Sequence, residues 1–131
     1  MSIIVYEGNE KFAYCQGQSR IFFTQISQER SSELYASCVV EGKKGEAPSF
    51  HDAPKHQRLT IMDVVTGWEG ITDRHKNPLE FNKEYLGKLL AGNASLRYTL
   101  YSRIHDPDAA DVVCLDDGEK PVKLDDAEKK D

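Results

Sequence analysis

Cysteine is scarce in this chain, and what there is does not pair. Cys15, Cys38 and Cys114 are odd in number, widely separated and form no C-x-x-C motif. Reduced thiols in a cytosolic protein are the simplest expectation, with Cys38 as a small core residue. Also missing is any apolar run long enough to span a bilayer, which excludes an ordinary membrane helix. The N-terminal residues MSIIVYEGNEKF lack a basic segment followed by a long apolar one, so no secretory leader is expected. There is no G-x-S-x-G, no phosphate-binding loop and no H-E-x-x-H. What remains is a chain of 131 residues with 30% charged and 39% hydrophobic residues and a net charge of −5. That length suits one domain able to bury a core without covalent staples.

The charge is concentrated at one end. Ten of the 22 acidic residues lie between Asp106 and Asp131, against four lysines there. An acidic tail repels phosphate backbones, and no basic stripe with interleaved aromatics offsets it, so nucleic acid is not an expected partner. Two readings of the tail stand side by side: a docking segment for a basic partner, or a solvated end that keeps the protein soluble. Residues 1–115 are expected to form a single domain and residues 116–131 an acidic tail. The chain beyond Pro107 is expected to contribute little to the core.

Two textures follow one another along the chain. Residues 2–26 read as extended. Ile3–Tyr6, the alternation around Phe12 and Tyr14, and Ile21–Phe23 are separated by Gly8-Asn9 and Gly17-Gln18, which suggests a three-stranded β-meander. The helical part begins at Ser27, a good cap for a helix to Glu41 with Leu34, Tyr35, Cys38 and Val39 on its apolar face. Gly42 would stop it. Residues 43–53 form a loop with Phe50 as its expected anchor. A second helix starts near Pro54, capped by Asp52 or Ala53. It runs to about Gly67 with Ile61, Val64, Val65 and Trp68 inward. A third covers residues 83–91, with Tyr85, Leu86, Leu89 and Leu90. A fourth, near 95–105, carries Leu96, Leu100 and Ile104. Val112–Leu115 and Val122–Leu124 suggest a late hairpin around Asp117-Gly118. The fold class expected is α+β: an N-terminal β-meander followed by about four helices, mainly helical, with an acidic C-terminal tail.

Chemistry-bearing residues are sparse. His51-Asp52, His56, Asp73 with His75, and His105-Asp106 are local pairs only. A zinc site needs three or four converging ligands, and none of these pairs has such spacing. Cys38 lies on an apolar helix face, whereas a reactive thiolate needs an electropositive, accessible setting. Asp116-Asp117 with Glu119 lacks the rest of a calcium loop. Neither a cofactor nor catalysis is expected. Tyr85, Tyr98 and Tyr101 suit either core packing or a tyrosine-rich protein interface.

The best-specified stretch is Val64–Leu90, read as a helix end, a polar connection and a helix start. Trp68, the only tryptophan, sits between Gly67 and Gly70. Asp73–Pro78 is rich in turn formers, and Pro78 biases Asn77 away from helix. Asn82 is placed to cap the next helix, with Glu84 in its first turn and Phe81 and Leu86 spaced for a hydrophobic staple.

Trp68, Gly70, Ile71 and Asp73, then Asn77-Pro78-Leu79, Phe81, and Leu86, Leu89 and Leu90, follow a pattern that resembles the small tail assembly chaperones of long-tailed bacteriophages and prophages. Upstream, Arg20–Thr24 and Ser27–Val40 with Glu33 and Tyr35 match more loosely, so the resemblance covers roughly residues 20–105. The chain departs from the pattern at His75-Lys76-Asn77, where a glycine is common. The resemblance implies a non-catalytic chaperone that coats and solubilises the long, helix-rich tape-measure protein while tail-tube subunits are recruited. It implies action in several copies in the host cytoplasm and absence from the mature particle. It also implies, in some relatives, a longer form made by ribosomal frameshifting. The contacts would be expected to draw on Trp68, Gly70, Asp73, Pro78, Phe81, Asn82, Tyr85, Leu86, Tyr98 and Tyr101. Two other classes remain: a structural tail or neck component retained in the virion, and a small metal-binding enzyme using the His51/His56 loop.

Overall fold

Period-2 alternation at the start of the chain builds the sheet. The computed structural model describes residues 6, 8–42 and 50–115. Strands β1 (Lys11–Gln16) and β2 (Ser19–Thr24) form a hairpin around Gly17, whose φ of 61° supplies the positive first turn residue of a II′-type loop. Their register places Phe12 opposite Phe23 and Tyr14 opposite Ile21. All four are buried on one face, and the Phe12 and Phe23 rings stack at 5.5 Å. The hairpin is the part of the expected meander that the described residues contain. Ile3–Val5, its first run, lie outside them.

Helix α1 (Gln28–Ser37) begins as expected, with Ser27 Oγ accepting the Arg30 N–H at 3.0 Å. It ends four residues before Glu41. Val39-Val40 instead form β3 (Val39–Val40), antiparallel to β4 (Phe50–His51), because two adjacent β-branched residues fit a ladder better than a helix end. Leu34 and Cys38 are buried, whereas Tyr35 and Val39 are exposed. Phe50 is 59% exposed and anchors nothing.

Helix α2 (Ala53–Val64) is capped by the Asp52 carboxylate on the Lys55 N–H. It stops at Val64 rather than Gly67, and this corrects the Trp68 region. Val65–Glu69 is a strand, β5, paired antiparallel to β2, so Trp68 sits on an edge strand and not at a helix–helix joint. A register shift between Phe22 and Phe23 places Val65 opposite Phe23 and Trp68 opposite Ile21. This bulge turns two residues three apart to the same buried face. The spacing of Ile61, Val64, Val65 and Trp68 therefore suits a helix and a bulged strand equally.

Helix α3 (Lys83–Ala91) and helix α4 (Ala94–His105) follow their expected bounds closely. Each starts on an asparagine: Asn82 accepts the Tyr85 N–H at 2.8 Å and Asn93 the Leu96 N–H at 3.1 Å. The chain then returns to the sheet as β6 (Val112–Cys114), which pairs with β1. Val112–Cys114 pairs with β1; Val122–Leu124, the second run of the expected late hairpin, lie outside the described residues.

The sheet order is β5-β2-β1-β6, and the helices pack on one of its faces. One core cluster joins Phe12, Phe23 and Trp68 of the sheet to Ile61 of α2, Leu86 and Leu90 of α3, and Leu100 and Ile104 of α4. The architecture is α+β, with 43% of the described residues in helix and 25% in strand, so it is not mainly helical. Among the described residues no helix is long and apolar enough to cross a membrane.

Candidate functional site

The connection from β5 to α3 builds one wall of a groove. Gly70, at φ 75°, turns the chain so closely past β2 that a Cβ there would collide with the Gln18 carbonyl oxygen. Ser19 Oγ donates to the Gly70 carbonyl at 2.8 Å. A small antiparallel bridge follows: Thr72 opposes Pro78, and the Leu79 N–H reaches the Ile71 carbonyl at 2.9 Å. The Asp73 carboxylate closes the turn by accepting the His75 and Asn77 backbone N–H groups at 2.8 and 3.0 Å. The Asn77 N–H foremost, and that of His75, hold its pKa below the ordinary carboxylate value. Lys76 has φ 69° and is the one non-glycine residue with positive φ among the described residues.

Trp68 fixes this wall to the sheet. Its Nε1 donates to the Leu79 carbonyl at 2.9 Å, and Phe81 meets its ring edge-on at 5.1 Å. Leu86 is fully buried one turn into α3. The outer face of α3 forms the opposite wall through Tyr85, Lys88 and Leu89. Between the walls lies an open, mostly apolar cavity of about 390 Å³, floored by Trp68, Ile71 and Leu79. Ile71 and Leu89 also line a second hollow of about 150 Å³, which continues toward Tyr14, Ile21 and Leu96. The two hollows adjoin at these shared residues along α3 and are together termed the α3 groove. Its rim is polar, with Asp73 and Lys88 at one end and Ser19 and Asn93 at the other. Lys88 also pairs with Glu84 at 3.6 Å on the solvent side.

Several of the expected contact residues converge here. Trp68, Asp73 and Tyr85 line the groove, Gly70 and Pro78 shape its turn, and Phe81, Asn82 and Leu86 position α3. The tyrosine-rich region does not form one surface. Tyr98 is 62% exposed on α4, outside the groove lining. Tyr101 turns inward, and burial raises its pKa. The sequence reading missed Leu96 as a groove residue. It also missed Lys83, whose Nζ donates to the Met62 and Val65 carbonyls and so caps the end of α2. A lysine opening one helix gives no sign of serving another.

A second cluster was also missed. Tyr35 of α1 stacks on His51 of β4, with centroids 4.0 Å apart and planes within 16°. His51 meets His56 of α2 at 5.0 Å, and His56 lies 5.5 Å from both Tyr35 and Tyr101. Tyr101 in turn leans on His105 at 4.5 Å. Four elements contribute these rings, so no local spacing announces them. His56 is 5% exposed, and the Nε2 atoms of His51 and His56 are buried without a hydrogen-bond partner. Among the described residues no three or more His, Cys, Asp or Glu side chains are arranged to hold a metal ion.

Comparison with protein-family models, with curated proteins and with solved structures gives no match to this chain.

Proposed function

We propose that the chain is a non-catalytic binding protein, a phage tail assembly chaperone, whose α3 groove receives apolar side chains from a helical segment of the tape-measure protein. The observation that carries this reading is the pair of adjoining apolar hollows over Trp68, Ile71, Tyr85, Leu89 and Leu96. Their part from Trp68 to Leu89 is built by the same stretch that carries the family resemblance. An open apolar groove between a helix and a turn suits residues spaced i, i+3/i+4 and i+7 on an amphipathic helix. Its polar rim fixes orientation, as at other protein interfaces. In this proposal the chaperone acts in several copies in the host cytoplasm, keeps the partner soluble until tail-tube subunits are recruited, and then departs.

Co-expression with the tape-measure protein of the same phage tests it. The long protein should become soluble and copurify with several copies of the chain. The complex should persist as salt is raised, because screening weakens charge contacts more than apolar burial. Leu89→Glu, in the groove, should reduce recovery of the complex about tenfold, equivalent to about 1.4 kcal/mol. Tyr98→Glu, outside the groove, should not. Equal insolubility of the tape-measure protein with and without the chain overturns the reading. Presence of the chain in purified virions favours the structural tail component instead.

A further inference from the structure

The five-ring cluster is not part of the α3 groove. What depends on it is the β3–β4 pair. Each of these strands is two residues long, and Val39, Val40 and Phe50 are all exposed, so the pair buries little apolar surface of its own. One backbone bond, from the Asp52 N–H to the Cys38 carbonyl at 2.8 Å, ties it at the start of α2. Its side-chain seat is His51, stacked on Tyr35 and set edge-on against His56. A two-stranded pair with so little burial is marginal without such a seat.

We propose that this cluster is an acid-operated latch: the neutral imidazole of His56, with His51 seated between it and Tyr35, holds the β3–β4 pair against α1 and α2, and protonation of His56 releases it.

The groups around His56 oppose a charge there. His56 sits in the first turns of α2, where the helix dipole is positive. From β4 it faces His51, and from α4 His105, and a positive charge on either opposes one on His56. The rings of Tyr35 on α1 and Tyr101 on α4 complete its surroundings, and burial raises the Tyr101 pKa. Charged groups on these elements have partners of their own. Asp52 caps α2, Arg30 of α1 pairs with Asp63 and Glu33, and Arg97 of α4 donates to Gln57. Burial first, then His51 and His105, hold the His56 pKa below its ordinary value of 6.5, against an upward pull from the Ser31 backbone. The folded state thus takes up the proton less readily than the unfolded chain. Stability from neutral His56 is present above about pH 6.5 and is lost as pH falls below that value.

Proton NMR of the full chain measures the His56 pKa directly. Amide exchange, corrected for the pH dependence of the intrinsic rate, reports on Cys38–Val40 and Phe50–Asp52. The His56 pKa should lie below 6.5. Protection of those amides should fall on acidification to about pH 5, by about tenfold for each unit separating the folded and unfolded pKa values. The β1–β2 ladder should keep its protection. His56→Phe, neutral at every pH, should flatten the response, and His51→Phe should weaken it. A His56 pKa at or above 6.5, β3–β4 protection unchanged at pH 5, or equal loss of protection in the β1–β2 ladder overturns the latch. The wild-type measurements decide the matter even where a variant does not fold.

Discussion

Lys76 shows how one residue can carry a backbone cost for a turn. At φ 69° its Cβ crowds its own carbonyl, a strain of about 1–2 kcal/mol for an L-residue that glycine avoids. The turn keeps its shape because the Asp73 carboxylate takes two backbone N–H groups and the Lys76 N–H reaches the Asp73 carbonyl at 3.0 Å. Lys76→Gly should therefore raise the unfolding free energy by about 0.5–1 kcal/mol, less than the full strain because glycine loses more freedom on folding. Urea denaturation of both proteins checks this, and a lower midpoint for Lys76→Gly would refute the strain argument. Trp68 has a different residue-scale role. It is 9% exposed, and its ring joins the sheet to the turn through Phe81 and the Leu79 carbonyl. It was legible as a buried organising residue, although its place on a strand was not.

At the scale of elements, helix starts were readable throughout, whereas the ends of α1 and α2 were not. Ser27, Asp52, Asn82 and Asn93 each cap a helix through a side-chain oxygen. Capping is a local interaction, so it shows in the sequence wherever a short polar residue precedes an apolar periodicity. Asn82→Ala should lower stability by about 1 kcal/mol, since the Tyr85 N–H loses its partner. A denaturation midpoint equal to wild type would remove Asn82 from that role. The ends of α1 and α2, by contrast, were decided by distant strands. Val39 leaves α1 because Phe50–His51 offers a ladder, and Val65 leaves α2 because β2 offers another. Nothing within a few residues of Cys38 or Val64 reveals those partners. The groove was half legible for the same reason. Its wall from Trp68 to Tyr85 is contiguous in sequence, but its far end uses Tyr14, Ile21 and Leu96 from three other elements.

At the scale of the whole molecule, the return of the chain after α4 closes the fold. On sequence grounds the residues beyond Pro107 were expected to be dispensable to the core. The structure overturns this, because β6 pairs Phe12 with Cys114, Ala13 with Val113 and Tyr14 with Val112. The Asp111 carbonyl accepts the Cys15 N–H at 2.8 Å, and its carboxylate accepts from Arg103 Nε at 2.6 Å. Val112 and Cys114 pack against the main core cluster. A chain ending at Pro107 should therefore lose about 3 kcal/mol, from apolar burial at these two positions and the lost ladder bonds. It should also self-associate more, since β1 would become an open edge carrying unpaired backbone groups. Denaturation midpoints together with sedimentation of the truncated and full chains test both consequences. An unchanged midpoint with unchanged association would show that β6 is not integral to the sheet. A lowered midpoint without added association would show that the β1 edge is protected by other means once β6 is gone.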